Sequence, residues 1–177
     1  MKKLLKTICT VSVILSALVA LTGCGETAAK RQALYDYLEQ VSGDVTDLEM
    51  MQKTANNLNT VNTLSETASY AASLETSCEN LIKKAEKRNA ALTDPEIKEI
   101  DDYYIQSFTE MRNSVRMIKE GALEYDWDKI NVAQKQSENA TKSFIRYGEM
   151  IDDYIKKYDI KTNADYDRVL AQLKSYK

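Results

Sequence analysis

The chain has 177 residues, 24 of them basic and 27 acidic, with no histidine, five glycines and one proline. A formal charge of −3 argues against a phosphate-backbone binder, which needs clustered positive charge. The missing histidine removes the commonest general base, the usual haem ligand and the Glu-x-x-His pairs of di-iron bundles.

The amino terminus runs from charged to apolar to small residues. Lys2, Lys3 and Lys6 precede an apolar run from Ile8 to Leu21, which ends in Leu21-Thr22-Gly23-Cys24. The run is shorter than the ~20 residues that a spanning helix needs, and Gly23 and Gly25 close it. This pattern resembles the signal peptide and lipobox of bacterial lipoproteins. The resemblance implies cleavage between Gly23 and Cys24, loss of residues 1–23 and a diacylglyceryl thioether, with its fatty acyl chains, on Cys24. It also implies a place on the outer face of the cytoplasmic membrane, in a Gram-positive-type bacterial cell. Two acyl chains, at about 0.8 kcal/mol per buried methylene, make a stable anchor.

On this reading residues 24–27 are the lipidated cysteine and a short tether, and residues 28–177 form one helical domain. Losing the three leader lysines leaves 21 basic residues against 27 acidic, a net charge of −6. The lipid is then the expected membrane attachment. Cys9 leaves with the leader and Cys24 is lipidated, so Cys78 stands alone without a disulfide partner.

From Thr27 onward, apolar residues recur in steps of three and four at Leu34, Leu38, Val41, Val45, Leu48, Met51, Ala55 and Leu58. That spacing predicts one helix with a buried stripe, with Gly43 as the place for a kink. Asn56 to Thr63 is poor helix material and is expected to be the first turn. Thr63 and Glu66 have the spacing of a capping box, ahead of a stripe at Leu64, Ala68, Ala71, Leu74, Cys78, Leu81, Ala85 and Leu92. Thr93, Pro95 and Glu96 predict a helix start at Thr93 or Asp94, with Thr93 and Glu96 capping each other. The third stripe is Ile97, Ile100, Tyr104, Phe108, Met111, Val115, Ile118, Ala122 and Tyr125, with Gly121 expected to fray its end. Asp126 is the expected cap of a fourth helix, stapled by Tyr125 and Ile130, whose stripe is Ile130, Ala133, Ser137, Ala140, Phe144, Tyr147, Ile151, Tyr154 and Tyr158. Thr162 or Asn163 would cap a short last helix carrying Tyr166, Val169, Leu170 and Leu173.

Segments near 30 residues imply rods of ~45 Å. With short connections, the economical arrangement is an all-α, antiparallel up-down-up-down four-helix bundle with a short C-terminal helix.

Chemistry is sparse. No phosphate-binding glycine loop or nucleophile elbow occurs, so no enzyme, no cofactor and no metal is expected. Cys78 sits on its stripe and reads as a small buried hydrophobe. The acids at Asp94, Glu96, Glu99, Asp101 and Asp102, and at Glu124, Asp126 and Asp128, lack an EF-hand pattern and lie at helix starts, where carboxylates complement the macrodipole. The eleven tyrosines divide between stripe positions and flanks, with Tyr35 and Tyr37 flanking and Tyr103 pointing away.

If the rods alternate, Asn56–Thr63 and Gly121–Trp127 share the end remote from the lipid. Asn57, Asn59, Asn62, Tyr125 and Trp127 are therefore the candidate partner-binding tip, with Trp127 equally readable as a core residue. The leading expectation is a non-catalytic interaction module for a protein or cell-wall component, with no nucleic acid as partner. A carrier holding an apolar ligand among Phe108, Met111, Phe144 and Tyr147 is the alternative. In outline the chain also resembles small helical lipoproteins, phage-exclusion and immunity lipoproteins among them, through its architecture and anchor alone.

Overall fold

The computed structural model describes residues 26–161. The lipobox with Gly23 and Cys24, and the expected last helix with Tyr166, Val169, Leu170 and Leu173, lie outside the described residues. Within them the chain is all-helical, with α1 Glu26–Ser42, α2 Val45–Leu58, α3 Leu64–Ala91, α4 Pro95–Glu124 and α5 Trp127–Lys157. None of these helices is long and apolar enough to cross a membrane.

The predicted stripes are the buried faces. Leu34, Leu38, Val41, Leu48, Met51, Ala55 and Leu58 are buried on α1 and α2, as are the apolar positions from Ala68 to Ala85 on α3 and from Ile97 to Ala122 on α4. At about 25 cal/mol per Å² of apolar surface, this burial is the dominant stabilising contribution. Residue pairs fix the helix directions. Asp101 meets Arg88 while Arg116 and Lys119 meet Glu75, so α3 and α4 are antiparallel. Ser114 bonds the carbonyl of Ala133 and Ser143 bonds Glu110, so α5 runs antiparallel to α4. Lys30 meets Asp94 and Tyr37 meets Asp101, which sets α1 parallel to α4.

Several expectations are corrected. The first stripe is carried by two helices, because the chain tightens at Gly43 and Asp44. The Gly43 amide bonds Gln40 at 3.2 Å and the Asp44 amide bonds Val41 at 2.9 Å, each reaching three residues back. Gly43 has no left-handed φ; what bends the chain is Asp44, whose buried side chain turns inward to Arg88 and Tyr104. Within the described residues α1 runs from Glu26, and α2 continues through Asn56 and Asn57 to Leu58, where the sequence predicts a turn. Burial of Ala55 and Leu58 there overrides weak helix propensity.

The caps also differ in part. Thr63 accepts from the Glu66 amide, as the capping box predicts. At α4 the cap is Asp94, which accepts from the amides of Glu96 and Ile97, and the Glu96 side chain is engaged elsewhere rather than with Thr93. Asp126 caps α5 through the Lys129 amide at 2.9 Å.

Gly121 does not fray. A Cβ there would lie 2.8 Å from Ile130 Cγ1 and 2.9 Å from the Asp126 carbonyl, so α4 and α5 touch at this point. The neighbouring layers are also built from small residues, with Ala68, Ala122 and Ile130 in one cluster and Ala71, Ile118 and Ala133 in another. The large rings stack farther along, where Tyr104, Phe108, Phe144 and Tyr147 meet edge to face.

Candidate functional site

Leu64 packs with Ala122 and Ile130, so the α2–α3 and α4–α5 turns lie at one end of the molecule. That end holds the candidate tip residues on two separate turns. Asn57 and Asn62 are exposed and Asn59 is half-buried. The backbone carbonyl of Asn57 closes its turn by accepting from the amides of Thr60 and Val61. Asn59 Oδ1 is buried and has no hydrogen-bond partner.

The aromatic half of the tip is exposed. Tyr125 is 78 % exposed, Trp127 62 % and Leu123 63 %. Trp127 is therefore not a core residue, and Tyr125 does not staple Ile130. Ile130, not either ring, lies against Gly121. Tyr125 ends α4 in a left-handed conformation, φ 58°, while the Asp126 amide bonds the Gly121 carbonyl at 2.8 Å. This is a Schellman-type closure in which a tyrosine stands where glycine is usual. Leu123 carries no periodic signal in the sequence, because it falls between the stripe positions Ala122 and Tyr125.

Charge around the rings is mainly acidic. Lys129 Nζ is shared by Glu120 at 2.8 Å and Glu124 at 3.2 Å, and Asp126 is spent on its cap. Asp128 is exposed beside Trp127.

A second polar constellation, unpredicted, lies under the α1–α2 break. Arg88 on α3 is 7 % exposed, Asp44 3 % and Asp101 0 %. Its guanidinium places Nη1 3.0 Å from Asp44 Oδ2, and Nη2 and Nε 2.7 and 3.1 Å from Asp101 Oδ1. Tyr104 donates to Asp44 at 2.9 Å and Tyr37 to Asp101 at 3.1 Å, while Arg88 lies 4.9 Å from the centre of the Tyr104 ring. Burial pushes the Asp101 carboxyl above its usual value, against the pull of Arg88. Burial likewise pushes the Tyr37 and Tyr104 phenols far up. Asp101 Oδ2 has no partner. An open depression of about 440 Å³ between Gly43, Lys84, Lys87 and Ala91 lies over this cluster. Since the guanidinium is already paired with two carboxylates, the cluster acts as a clamp between α3, α4 and the α1–α2 break.

The opposite end is closed by Glu96, which takes Lys157 at 2.6 Å, Lys30 at 3.0 Å and the Tyr158 hydroxyl. The hydrogen bond from Lys157, then those from Tyr158 and Lys30, hold the Glu96 carboxyl down at about 2. Tyr154 donates to the Lys30 carbonyl at 2.9 Å and Lys30 reaches Asp94 at 2.9 Å.

The remaining sequence candidates have structural placements. Cys78 is fully buried and its thiol is pushed up by burial. Asp94 and Asp126 cap helices, and Asp102 accepts from Asn89. Among the described residues no three His, Cys, Asp or Glu side chains converge as metal ligands. Phe108, Met111, Phe144 and Tyr147, named for a carrier cavity, are buried, with Phe108 and Phe144 5.0 Å apart in edge-to-face contact. Tyr37, read as a flank, is wholly buried, and Tyr103 packs half-buried against the main core. No protein-family model, no curated protein and no solved structure matches the chain.

Proposed function

We propose that the protein is a non-catalytic interaction module held on the outer face of a bacterial cytoplasmic membrane by lipid on Cys24. It presents the α4–α5 tip to a protein or cell-envelope partner. In this proposal α1 and α2 together form the first rod of an up-down-up-down four-helix bundle. The antiparallel pairs α3–α4 and α4–α5, and the parallel pair α1–α4, support that arrangement.

The observation that carries the proposal is the exposure of Leu123, Tyr125 and Trp127 within five consecutive residues at one end. Aromatic side chains rimmed by polar groups mark recognition surfaces more often than isolated apolar residues do. The buried charges of Arg88, Asp44 and Asp101 pair with one another inside the fold, which supports a structural part for them.

The test has two arms. Palmitate labelling and membrane fractionation of the natural chain beside Cys24→Ala should show the label lost and the protein released. A photo-crosslinking residue at Tyr125 should capture a partner from intact cells, and the same residue at Glu86, near the other end, should not.

A further inference from the structure

From the composition of the tip we infer its partner's chemistry: a cationic protein segment that alternates lysine or arginine with apolar residues. The inference rests on the tip being the binding surface and adds what binds there. Between Glu120 and Lys129 the chain carries four carboxylates, Glu120, Glu124, Asp126 and Asp128, against the single ammonium of Lys129. The neighbouring turn, Asn59 to Glu66, adds Glu66 and no basic residue. The α3 start packs on Ala122 and Ile130, so that acidic charge belongs to the same end.

Inside this rim stand Leu123, Tyr125 and Trp127, each more than half exposed. An exposed indole and phenol attract cations to their faces, most strongly the indole. The exposed carboxylates of Glu124 and Asp128 at the edge then bind the same lysine or arginine side chains, and Leu123 takes the apolar residue between them. The acidic rim repels an anionic bilayer or wall polymer, and it repels a second copy of itself. These alternatives are outcomes of the test.

Trp127 is the chain's one tryptophan, so its fluorescence reports the tip directly. Full-length protein is titrated with an alternating Lys-Leu peptide, an alternating Glu-Leu peptide and phosphatidylglycerol vesicles. The Lys-Leu peptide should shift Trp127 emission to the blue and the other two should leave it unmoved. Glu124→Lys with Asp128→Lys should weaken the peptide at least about tenfold, since each exposed ion pair contributes a factor of a few. Glu86→Lys with Glu99→Lys, exposed sites near the opposite end that change net charge equally, should leave binding within about twofold. Circular dichroism confirms that both double variants are folded.

Equal response to both peptides, a response to vesicles alone, or equal loss in both charge variants would each overturn the inference. So would a concentration-dependent blue shift of the protein by itself, which marks self-association. Photo-crosslinking from Tyr125 separates the two levels. A captured partner without peptide binding overturns the cationic chemistry and leaves the tip reading standing, whereas loss of both overturns both.

Discussion

Arg88, in the last turn of α3, reaches Asp44 at 3.0 Å in the gap between α1 and α2, so the residue at the break is fixed by a helix remote in sequence. The same guanidinium holds Asp101 on α4. A buried ion cluster of this kind adds little net stability over an apolar replacement, but removing one member leaves uncompensated charge.

Arg88→Met is therefore expected to destabilise the fold by about 3–5 kcal/mol in urea denaturation, because two carboxylates remain buried without a cation. Adding Asp44→Asn and Asp101→Asn should recover part of that loss. A triple variant no better than Arg88→Met would show that packing of the arginine stem, not charge, sets the effect.

Gly121→Ala exchanges a poor helix former for the best one, a gain of about 1 kcal/mol in an open helix. Here the new methyl would meet Ile130 Cγ1 at 2.8 Å and the Asp126 carbonyl at 2.9 Å. Overpacking at about 1–3 kcal/mol wins, and the melting temperature should fall. An increase would mean that α4 and α5 separate freely at the turn.

Acid sensitivity should trace to Glu96. Its folded pKa, about 2, lies below the ordinary 4.5, so its contribution is present above pH 4.5 and fades as pH falls toward 2. Asp101 runs the other way: its raised pKa favours the protonated acid in the folded state, and its contribution is lost as pH rises through that pKa. Glu96→Gln should narrow the difference in melting temperature between pH 7 and pH 3. An unchanged difference would assign the acid response to other carboxylates.

Tyr125→Ala with Trp127→Ala should leave stability within about 0.5 kcal/mol, as expected for exposed positions. In the natural chain Trp127 should emit at the red end of the indole range and be quenched freely by acrylamide. A blue, protected emission would contradict its exposure.

Cys78 should resist alkylation in the folded protein at pH 8 and react as denaturant unfolds it, since burial disfavours its thiolate. Labelling of Cys78 in native buffer would indicate opening between α3 and its neighbours.

Much of the frame was legible because one physical signal, apolar residues every three or four positions, survives in a single sequence. The caps at Thr63 and Asp126 were legible because their chemistry is local, as was the start of α4. The clamp was not, because Arg88 meets Asp101 across 13 residues and Asp44 across 44. A signal was present: Asp44 sits three residues after Val41 and four before Leu48, and Arg88 three after Ala85, so charged side chains occupy buried-stripe positions. Set among lysines and glutamates, Arg88 reads as part of a solvated face. The close contact of Gly121 with Ile130 was not legible either, since it has no periodic signature.

The ties at Lys30 carry a mechanical consequence. Tension passing along α1 meets Lys30, the first tie the described residues show, where Asp94, Glu96 and the Tyr154 hydroxyl spread the load onto α4 and α5. What passes that point is taken up again by Tyr37 at Asp101 before it arrives at Gly43. The thin joint ahead of α2 is thereby shielded from part of that pull.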